Sequence, residues 1–351
     1  MGHLVLLVGL AFASAAVFDC GTAPTVPQDR RVDKSRLRLA HWNVEWLFLS
    51  DWGRRWESLD EAQAHLAAVA EVVARNRQVD VWHLAEVEDC AALRELARAA
   101  GDASLRAYLV PGRDSATRQQ VGLLTRLDPA VLHRSEARAA FPLPGSSCRG
   151  GRPGRTGVSK HLVAEFRPKG GTIPPFSIVG AHLLAHPKRP ERCARREGQA
   201  AVLQQLVRTQ LQRTNNYVLV MGDLNEFDAQ VQDVQSSAPL SRTLALLKNV
   251  LADRPGDELH NVAREVGQNQ RFTSYHHGDS DVCLPAHASS SSIDHVLASE
   301  PLLALMSEAR IGNADFHPPC RADRPYSDHW PVFVTLGGGT QPPQPQQQRE
   351  L

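Results

Sequence analysis

Polar side chains that can bind metal ions or move protons follow one hydrophobic run after another in this 351-residue sequence. The stretch VMGDLNEFD, residues 220–228, places Asp223 and Asn225 directly behind the apolar run YVLVMG. A turn would explain both residues, because Gly, Asp and Asn dominate turns. A metal or water site would explain them equally, because carboxylate and amide oxygens are the ligands of hard divalent cations. The stretch by itself leaves both explanations open.

The same pattern recurs at the ends of other strand-like runs. The residues concerned are Asn43 and Glu45 in HWNVEW, Glu86 in HLAEVED, His182 in GAHLLAHP, Asp294 in SSIDHVLAS, and Asp328 and His329 in YSDHWPV. Each has an ordinary structural explanation: a turn cap for Asn43, a helix cap for Glu86, a core position for His182. Ligands of α/β proteins nevertheless collect where strands end, so we expect the set to converge on one cleft.

The elements that must position these residues are strands mixed with helices. Strand-like runs include RLRLAHWNV, VDVWHLAEV, VGLLT, HLVAEF, FSIVGAHLL, YVLVMG, SSIDHVLAS and WPVFVTL. Helical spacing of apolar residues appears in SLDEAQAHLAAVAEVVARN, where Ser58 and Glu61 fit a capping box, and in DCAALRELARAAG, RREGQAAVLQQLVRTQLQRTN and LSRTLALLKNVLAD. Strands joined partly directly and partly through helices indicate an α/β class with mixed sheets.

The motifs, taken in order, resemble those of the endonuclease/exonuclease/phosphatase family, the metal-dependent phosphoesterases that include deoxyribonuclease I. WNVEW, LAEVE, GAHLL, GDLNEFD, SSIDHVLAS and YSDHWPV occur in the family's order from about Leu37 to Leu336, and GDLN and SDHWPV are the most specific. The resemblance implies an α/β (α+β) fold. We expect a four-layer sandwich of two mixed β-sheets, packed face to face and flanked by helices, in a domain over residues 37–336.

The resemblance also implies a metal site. It makes Glu86 the principal Mg²⁺ ligand, with Glu45, Asp328 and Asn43 in or near the coordination shell. Carboxylates and water suit Mg²⁺, a hard ion that is bound partly through the substrate. Mn²⁺ is a possible substitute, and the sequence leaves a structural Ca²⁺ site undetermined.

The catalytic roles follow from the same resemblance. Asp223 is expected to orient and deprotonate the attacking water, while Asn225 holds that water or a phosphate oxygen. Asp294 is expected to pair with His329, so that a charged imidazolium faces the phosphate. Asn43, Asn225 and His182 are expected to contact the substrate phosphate. Glu226 and Asp228, at the end of GDLNEFD, are predicted to be turn or surface residues.

His182 distinguishes branches of the family. A His on this strand is similar to the deoxyribonuclease, sphingomyelinase and inositol-phosphatase branches, whereas abasic-site endonucleases typically have an Asn-containing turn there. Deoxyribonuclease I supports its His with a Glu on a neighbouring strand, and QQVGLLTR contains no acid. The acidic partner of His182 therefore stays open.

The first residues predict secretion. Leu4 to Val17 is apolar but shorter than the roughly 20 residues that span a bilayer, and Ala13-Ser14-Ala15 fits a signal-peptidase site. We expect a signal peptide over residues 1–16 and an N-terminal segment over 17–36, with a buried first strand as the alternative. At the other end, residues 337–351 form a Gly/Pro/Gln-rich tail that cannot bury a core.

Six cysteines, an even number, indicate disulfides in a secreted chain, and none has C-x-x-C spacing. HLVAEF and FSIVGAHLL are predicted to form a hairpin that brings Cys148 and Cys193 together. Cys283–Cys320 and Cys20–Cys90 follow only by elimination. Buried free thiols are the alternative.

A net charge of +1 gives the chain no overall positive field that would attract nucleic acid, but the basic residues are clustered. CRGGRPGRTGVSKHLVAEFRPK has six Lys or Arg against one acid, and HPKRPERCARRE has five against two. Such clusters suit phosphate contacts, or they are simply solvated loop charges.

We therefore expect a secreted, monomeric, divalent-metal-dependent endonuclease for DNA, with RNA also possible, and no stable membrane span. The alternative is a phosphodiesterase or phosphatase for phospholipid head groups or inositol phosphates. A non-catalytic binding protein on this fold is a further alternative, disfavoured because all the expected site residues are present.

Overall fold

The computed structural model describes residues 20–249, 258–275, 290–316 and 326–338. Within these ranges the strands are β1 (Arg36–Leu47), β2 (Val81–Val87), β3 (Arg106–Tyr108), β4 (Gln120–Thr125), β5 (Pro129–His133), β6 (Ala139–Phe141), β7 (Gly154–Thr156), β8 (Lys160–Phe166), β9 (Phe176–His182), β10 (Val218–Asp223), β11 (Leu259–Asn261), β12 (Ser274–Tyr275), β13 (Ser290–Ser291), β14 (Asp294–Ser299), β15 (Met306–Ile311) and β16 (Val332–Gly337). The α-helices are α1 (Leu59–Arg75), α2 (Cys90–Ala99), α3 (Pro190–Arg213), α4 (Thr243–Lys248) and α5 (Glu300–Leu303).

Two six-stranded sheets contain most of these strands. The first has the order β15-β16-β1-β2-β4-β3, and the second has the order β11-β14-β10-β9-β8-β5. The pairs β1–β2 and β9–β10 are parallel, and the other neighbouring strands are antiparallel. Both sheets are therefore mixed, as predicted. Helices α1 and α2 cover the first sheet, and α3 and α4 cover the second.

Alternation along the strands builds the layers, because successive side chains of a strand point to opposite faces. Ile178, Met221 and Val296 of the second sheet pack with the first sheet in the larger core. Their neighbours along the chain, such as Val179 and Val220, pack instead against α3. The four-layer sandwich predicted from the family resemblance is confirmed.

The predicted helices form, with shifted ends. Ser58 caps α1 by accepting a hydrogen bond from the Glu61 amide at 3.2 Å, and Gly101 follows α2 with a φ of +66°. Helix α3 begins at Pro190, before the first apolar residue of its pattern. Proline is favoured in the first turn of a helix, where its missing N–H costs nothing.

Two disulfides join loops to helices. Cys148 bonds to Cys193 in α3, and Cys20 bonds to Cys90 at the start of α2. Strands β8 and β9 form the hairpin on which the Cys148–Cys193 prediction depended. The predicted pair Cys283–Cys320, the signal peptide and residues 339–351 lie outside the described residues.

Candidate active site

One end of the second sheet carries adjacent ionisable side chains. The strand register pairs Asp223 with His182 on β9 and with Asp294 on β14. Residues that are paired across neighbouring strands point to the same face and lie side by side. His182 Nε2 is accordingly 3.5 Å from Asp223 Oδ2. All three side chains are buried and face the first sheet.

The first sheet contributes Asn43 and Glu86 from the facing layer. The Asn43 amide nitrogen donates to Glu86 Oε1 and to Asp223 Oδ2, both at 3.1 Å. Glu86 Oε2 also accepts the backbone N–H of Trp46 at 3.2 Å. The Asn43 amide therefore links the predicted metal ligand to the predicted base, across the gap between the sheets.

Three of the predicted site residues, Glu45, Glu86 and Asn225, have left-handed backbone conformations, which L-residues rarely adopt. The φ angle is 48° at Glu45, 64° at Glu86 and 49° at Asn225. The register of β1 with β2 shifts after Asn43, and the register of β2 with β4 shifts around Glu86. Such bulges redirect side chains near active sites, and the strained conformations persist only where the surrounding structure holds them.

The predicted pair of Asp294 and His329 is present. His329 Nδ1 lies 2.7 Å from Asp294 Oδ2, which also accepts the Thr273 hydroxyl at 2.8 Å. Burial by itself would lower the pKa of His329, but the charges of Asp294 and Asp328 outweigh it and raise that pKa well above its usual value. These charges therefore favour the imidazolium form of His329.

A second, unpredicted histidine holds the other oxygen of Asp294. His41 Nε2 lies 3.1 Å from Asp294 Oδ1, and His41 Nδ1 lies 2.9 Å from Nδ1 of His83. Within the part of the chain that the structure describes, His83 Nε2 is buried without a hydrogen-bond partner, and it faces Gly180, where a Cβ would come within 2.3 Å of it. Placing the proton of His83 on Nδ1 avoids a buried unpaired donor, so His41 accepts there and donates from Nε2. His41 alternates with Asn43 along β1, and this alternation was the available sequence signal.

The carboxylates are crowded enough to resist ionisation. Burial raises the pKa of Asp223 to about 7, and the charge of Asp294 adds to the effect. Burial also raises the pKa of Glu86. A divalent cation would relieve this repulsion, so the donor set fits such an ion.

Glu86, a predicted metal ligand, lies next to two residues that were not predicted to bind the metal. One oxygen of Glu86, one nitrogen of His182 and one oxygen of Asp223 lie within 4.8 Å of one another. Glu45 stands beside them, accepting the Asp328 amide at 3.0 Å with Oε2 and forming an ion pair with Arg55 at 2.7 Å through Oε1. Burial and the charges of Glu45 and Glu86 raise the pKa of Asp328, so the three carboxylates lie near one another.

Glu226 and Asp228 lie in the loop after β10, where Asp228 Oδ1 accepts the backbone N–H of Gln230 at 2.9 Å as a turn residue does, but neither is a surface residue. Glu226 is fully buried and pairs with Arg196 at 3.2 Å, and Asp228 pairs with Lys248 at 2.7 Å. Asn225 lies in the chain between Asp223 and these two buried ion pairs. Its side-chain amide nitrogen donates to the Leu183 carbonyl at 3.3 Å. The acids after Asp223 therefore fix the loop instead of facing solvent.

Within the described residues, no acidic side chain contacts Nδ1 of His182, the ring nitrogen that does not face Asp223. Its Nδ1 is buried without a hydrogen bond, and burial together with the charge of Lys160 lowers its pKa well below the usual value. Burial therefore favours the neutral form of His182. The neighbouring segment supplies Gln119, which accepts from Lys160 Nζ at 3.1 Å.

The basic clusters are only partly available to a ligand. Arg149, Arg152 and Arg155 are exposed, and the Cys148–Cys193 disulfide brings their loop to the start of α3. Arg196, counted in the second cluster, is instead fully buried and contacts the backbone carbonyls of Leu184 and Pro187.

The endonuclease/exonuclease/phosphatase family model matches residues 40–329, which include every residue of the site described above. The chain belongs to this family. Family members are hydrolytic phosphoesterases that use divalent metals, so the protein is an enzyme of that class. A search of the curated proteins finds no match.

Solved structures share the fold at low sequence identity. A 3'-5' exonuclease from Neisseria meningitidis is 17% identical with a TM-score of 0.56, covering 86% of this chain and 100% of its own. A 3' phosphatase from Neisseria, bound to a product DNA hairpin, is 17% identical with a TM-score of 0.55, covering 86% and 99%. A mannosyl-6-phosphatase from Bacteroides thetaiotaomicron is 16% identical with a TM-score of 0.52, covering 85% and 98%.

Among the described residues, no helix is both long enough and apolar enough to cross a membrane.

Proposed function

We propose that this family member is a secreted, Mg²⁺-dependent endonuclease that hydrolyses phosphodiester bonds of DNA. The observation that carries the proposal is the assembly of Glu86, Asn43, Asp223, His182 and the Asp294–His329 pair where the two sheets face each other. Phosphodiester hydrolysis needs a base for water and positive charge around the phosphate, and this set supplies both.

The metal would be held by Glu86, with Glu45 and Asp328 beside it. When bound, a divalent ion supplies Lewis-acid stabilisation of the charge that develops on the phosphoryl oxygens. Carboxylates are the ligands that Mg²⁺ prefers, and this favours Mg²⁺ over softer metals, with Mn²⁺ as the expected substitute.

Asp223 acts as the base in this proposal. It is buried, Asn43 orients its Oδ2, and in the metal-free protein burial raises its pKa to about 7. Its Oδ1 accepts the backbone N–H of Asn225 at 3.1 Å, so the base and the predicted water-holding residue share one loop. His329, as an imidazolium, neutralises a phosphate oxygen, while Asp294 fixes its orientation.

A DNA substrate is favoured by the exposed arginines of the Cys148–Cys193 loop, which suit a polyanion. Two disulfides favour an oxidising compartment, which supports secretion. The neighbour bound to a DNA hairpin shows that this fold can hold DNA. The phosphatase among the neighbours keeps the head-group or inositol-phosphate alternative as a second candidate.

The test is a nicking assay on supercoiled plasmid with Mg²⁺ or EDTA, run beside sphingomyelin vesicles and inositol phosphates. We compare the wild type with Asp223→Asn and with Asp60→Asn, an exposed acid in the first turn of α1. Metal-dependent nicking that is lost only in Asp223→Asn supports the nuclease. Release of head groups or phosphate without nicking moves the assignment to the second candidate.

A further inference from the structure

Lys160 lies beside the ionisable side chains at the end of the second sheet, one strand further along on β8. The register of β8 with β9 pairs Lys160 with His182, just as His182 is paired with Asp223 and Asp223 with Asp294. We call Lys160, His182, Asp223 and Asp294 the ionisable row. Its four members come from four neighbouring strands and share one face of the sheet. The position of Lys160 at the cleft is thus set by backbone pairing, not by a flexible loop.

The ammonium of Lys160 has only a neutral hydrogen-bond partner in the described part of the chain. Nζ donates to Gln119 Oε1 at 3.1 Å, and no described carboxylate oxygen comes within 4.0 Å of it. Lysine has three N–H donors, so this bond leaves two to be satisfied. Gln119 is itself buried, so it holds the lysine in place without neutralising it.

The charge of Lys160 acts on the cleft. Against the effect of burial it lowers the pKa of the half-buried Glu86, and Asp223 and Asp114 also interact with Lys160 electrostatically. Partial burial beside a neutral amide lowers the pKa of Lys160 and so disfavours its charged form, and no close ion pair within the described residues offsets this. Shifts of this kind concentrate at functional sites.

We propose that Lys160 is a catalytic residue that donates its free N–H groups to a non-bridging oxygen of the substrate phosphoryl group. Resting on the proposed function, this assignment puts a fixed cation at one end of the ionisable row and the Asp294–His329 pair at the other. The phosphoryl group lies over His182 and Asp223, between these two positive charges. Developing negative charge is then neutralised from both sides by groups that need no reorganisation.

The test compares Lys160→Met and Lys160→Arg with Lys169→Met. Lys169 is exposed and lies just beyond the far end of β8, so its loss removes the same charge away from the cleft. Binding of inorganic phosphate is measured by calorimetry at saturating Mg²⁺. Lys160→Met is expected to weaken it about 30-fold, the effect of one charge-assisted hydrogen bond, and Lys169→Met less than about twofold.

Turnover gives a second readout. With bis(4-nitrophenyl) phosphate, Lys160→Met is expected to lower kcat about 100-fold, with partial rescue by Lys160→Arg, because the contact strengthens in the transition state. Thermal melts establish that each variant is folded, and Lys160→Gln replaces Lys160→Met if the latter unfolds.

Unchanged phosphate affinity and kcat in folded Lys160→Met would overturn the proposal. So would weaker Mg²⁺ binding with unchanged phosphate affinity at saturating metal, because Lys160 would then serve only as a counter-charge to the carboxylates. Failure of the nuclease assignment is seen separately, as wild-type enzyme that hydrolyses the small diester but leaves plasmid intact.

Discussion

At the scale of single residues, the burial of Asp223 that serves catalysis also destabilises the folded protein. Burial, with Asp294 adding to it, raises its pKa to about 7 in the folded, metal-free protein. An acid whose pKa is higher when folded than when unfolded destabilises the fold once it ionises. The penalty is absent below about pH 4, grows as the pH rises, and is complete above about pH 7.

We therefore expect Asp223→Asn to be more stable than the wild type in EDTA at pH 8, by about 2–4 kcal/mol, and equally stable at pH 4. Its turnover should fall by about 10²–10⁴-fold, because the base is lost. Urea unfolding at the two pH values measures the first effect and plasmid nicking the second. A stability difference that does not change with pH would show that folding does not raise the pKa of Asp223.

His41 is expected to position Asp294 for His329. His41→Gln keeps an N–H close to the Nε2 position, whereas His41→Leu removes the donor to Asp294 Oδ1. We expect His41→Leu to lower kcat about tenfold with little change in KM, and His41→Gln to stay within about threefold of the wild type.

The proton NMR signal of His329 Nδ1–H is the independent readout for this prediction, because it reports the hydrogen bond to Asp294 directly. It should move upfield in His41→Leu and stay near the wild-type position in His41→Gln. Equal kcat and unchanged signals in both variants would mean that Asp294 is oriented by Thr273 and the backbone instead.

At the scale of elements, α3 fixes the catalytic loop through Arg196. This fully buried guanidinium joins Glu226, next to Asn225, to the carbonyls of Leu184 and Pro187, which follow His182. Two loops of the site therefore share one anchor.

Arg196→Met should lower the free energy of unfolding by about 3–5 kcal/mol, because it leaves the Glu226 carboxylate buried without its counter-charge. The double variant Arg196→Met/Glu226→Gln should recover part of that loss, since neither charge remains. Urea unfolding measures both. A double variant no more stable than Arg196→Met would mean that the contacts of Arg196 to the loop carbonyls, rather than the charge pair, supply the stability.

The elements also show where sequence reasoning succeeded. Asn43, Glu86, His182, Asp223 and Asp294 were all found because the polar residues follow apolar strands, and strand ends are visible in a sequence. The burial of Glu226 and Asp228 was not predicted, because sequence spacing does not show that Arg196 and Lys248 come from distant helices to pair with them. Lys160 and His41 were missed because register across strands, not spacing along one strand, places them.

At the scale of the whole molecule, the disulfides are expected to carry much of the stability. Cys148–Cys193 spans 45 residues and Cys20–Cys90 spans 70. Closing loops of this size restricts the unfolded chain by about 4 kcal/mol each in the chain-entropy model.

We expect the double variant Cys148→Ser/Cys193→Ser to lose a few kcal/mol of this order in urea unfolding, while its kcat at 25 °C on bis(4-nitrophenyl) phosphate stays within about twofold. A matched Cys20→Ser/Cys90→Ser variant separates the two bridges. If reduction of the wild type leaves its melting temperature unchanged, the bridges do not stabilise the fold.

The site is divided between the two sheets: Glu86 and Asn43 belong to one, and His182, Asp223 and Asp294 to the other. Sliding of one sheet over the other by a fraction of an ångström would stretch the bonds from the Asn43 amide without exposing any core. Catalysis should accordingly fail at urea concentrations well below those at which the chain unfolds. Turnover would then report the alignment of the two sheets, and it would fall before any spectroscopic sign of unfolding appears.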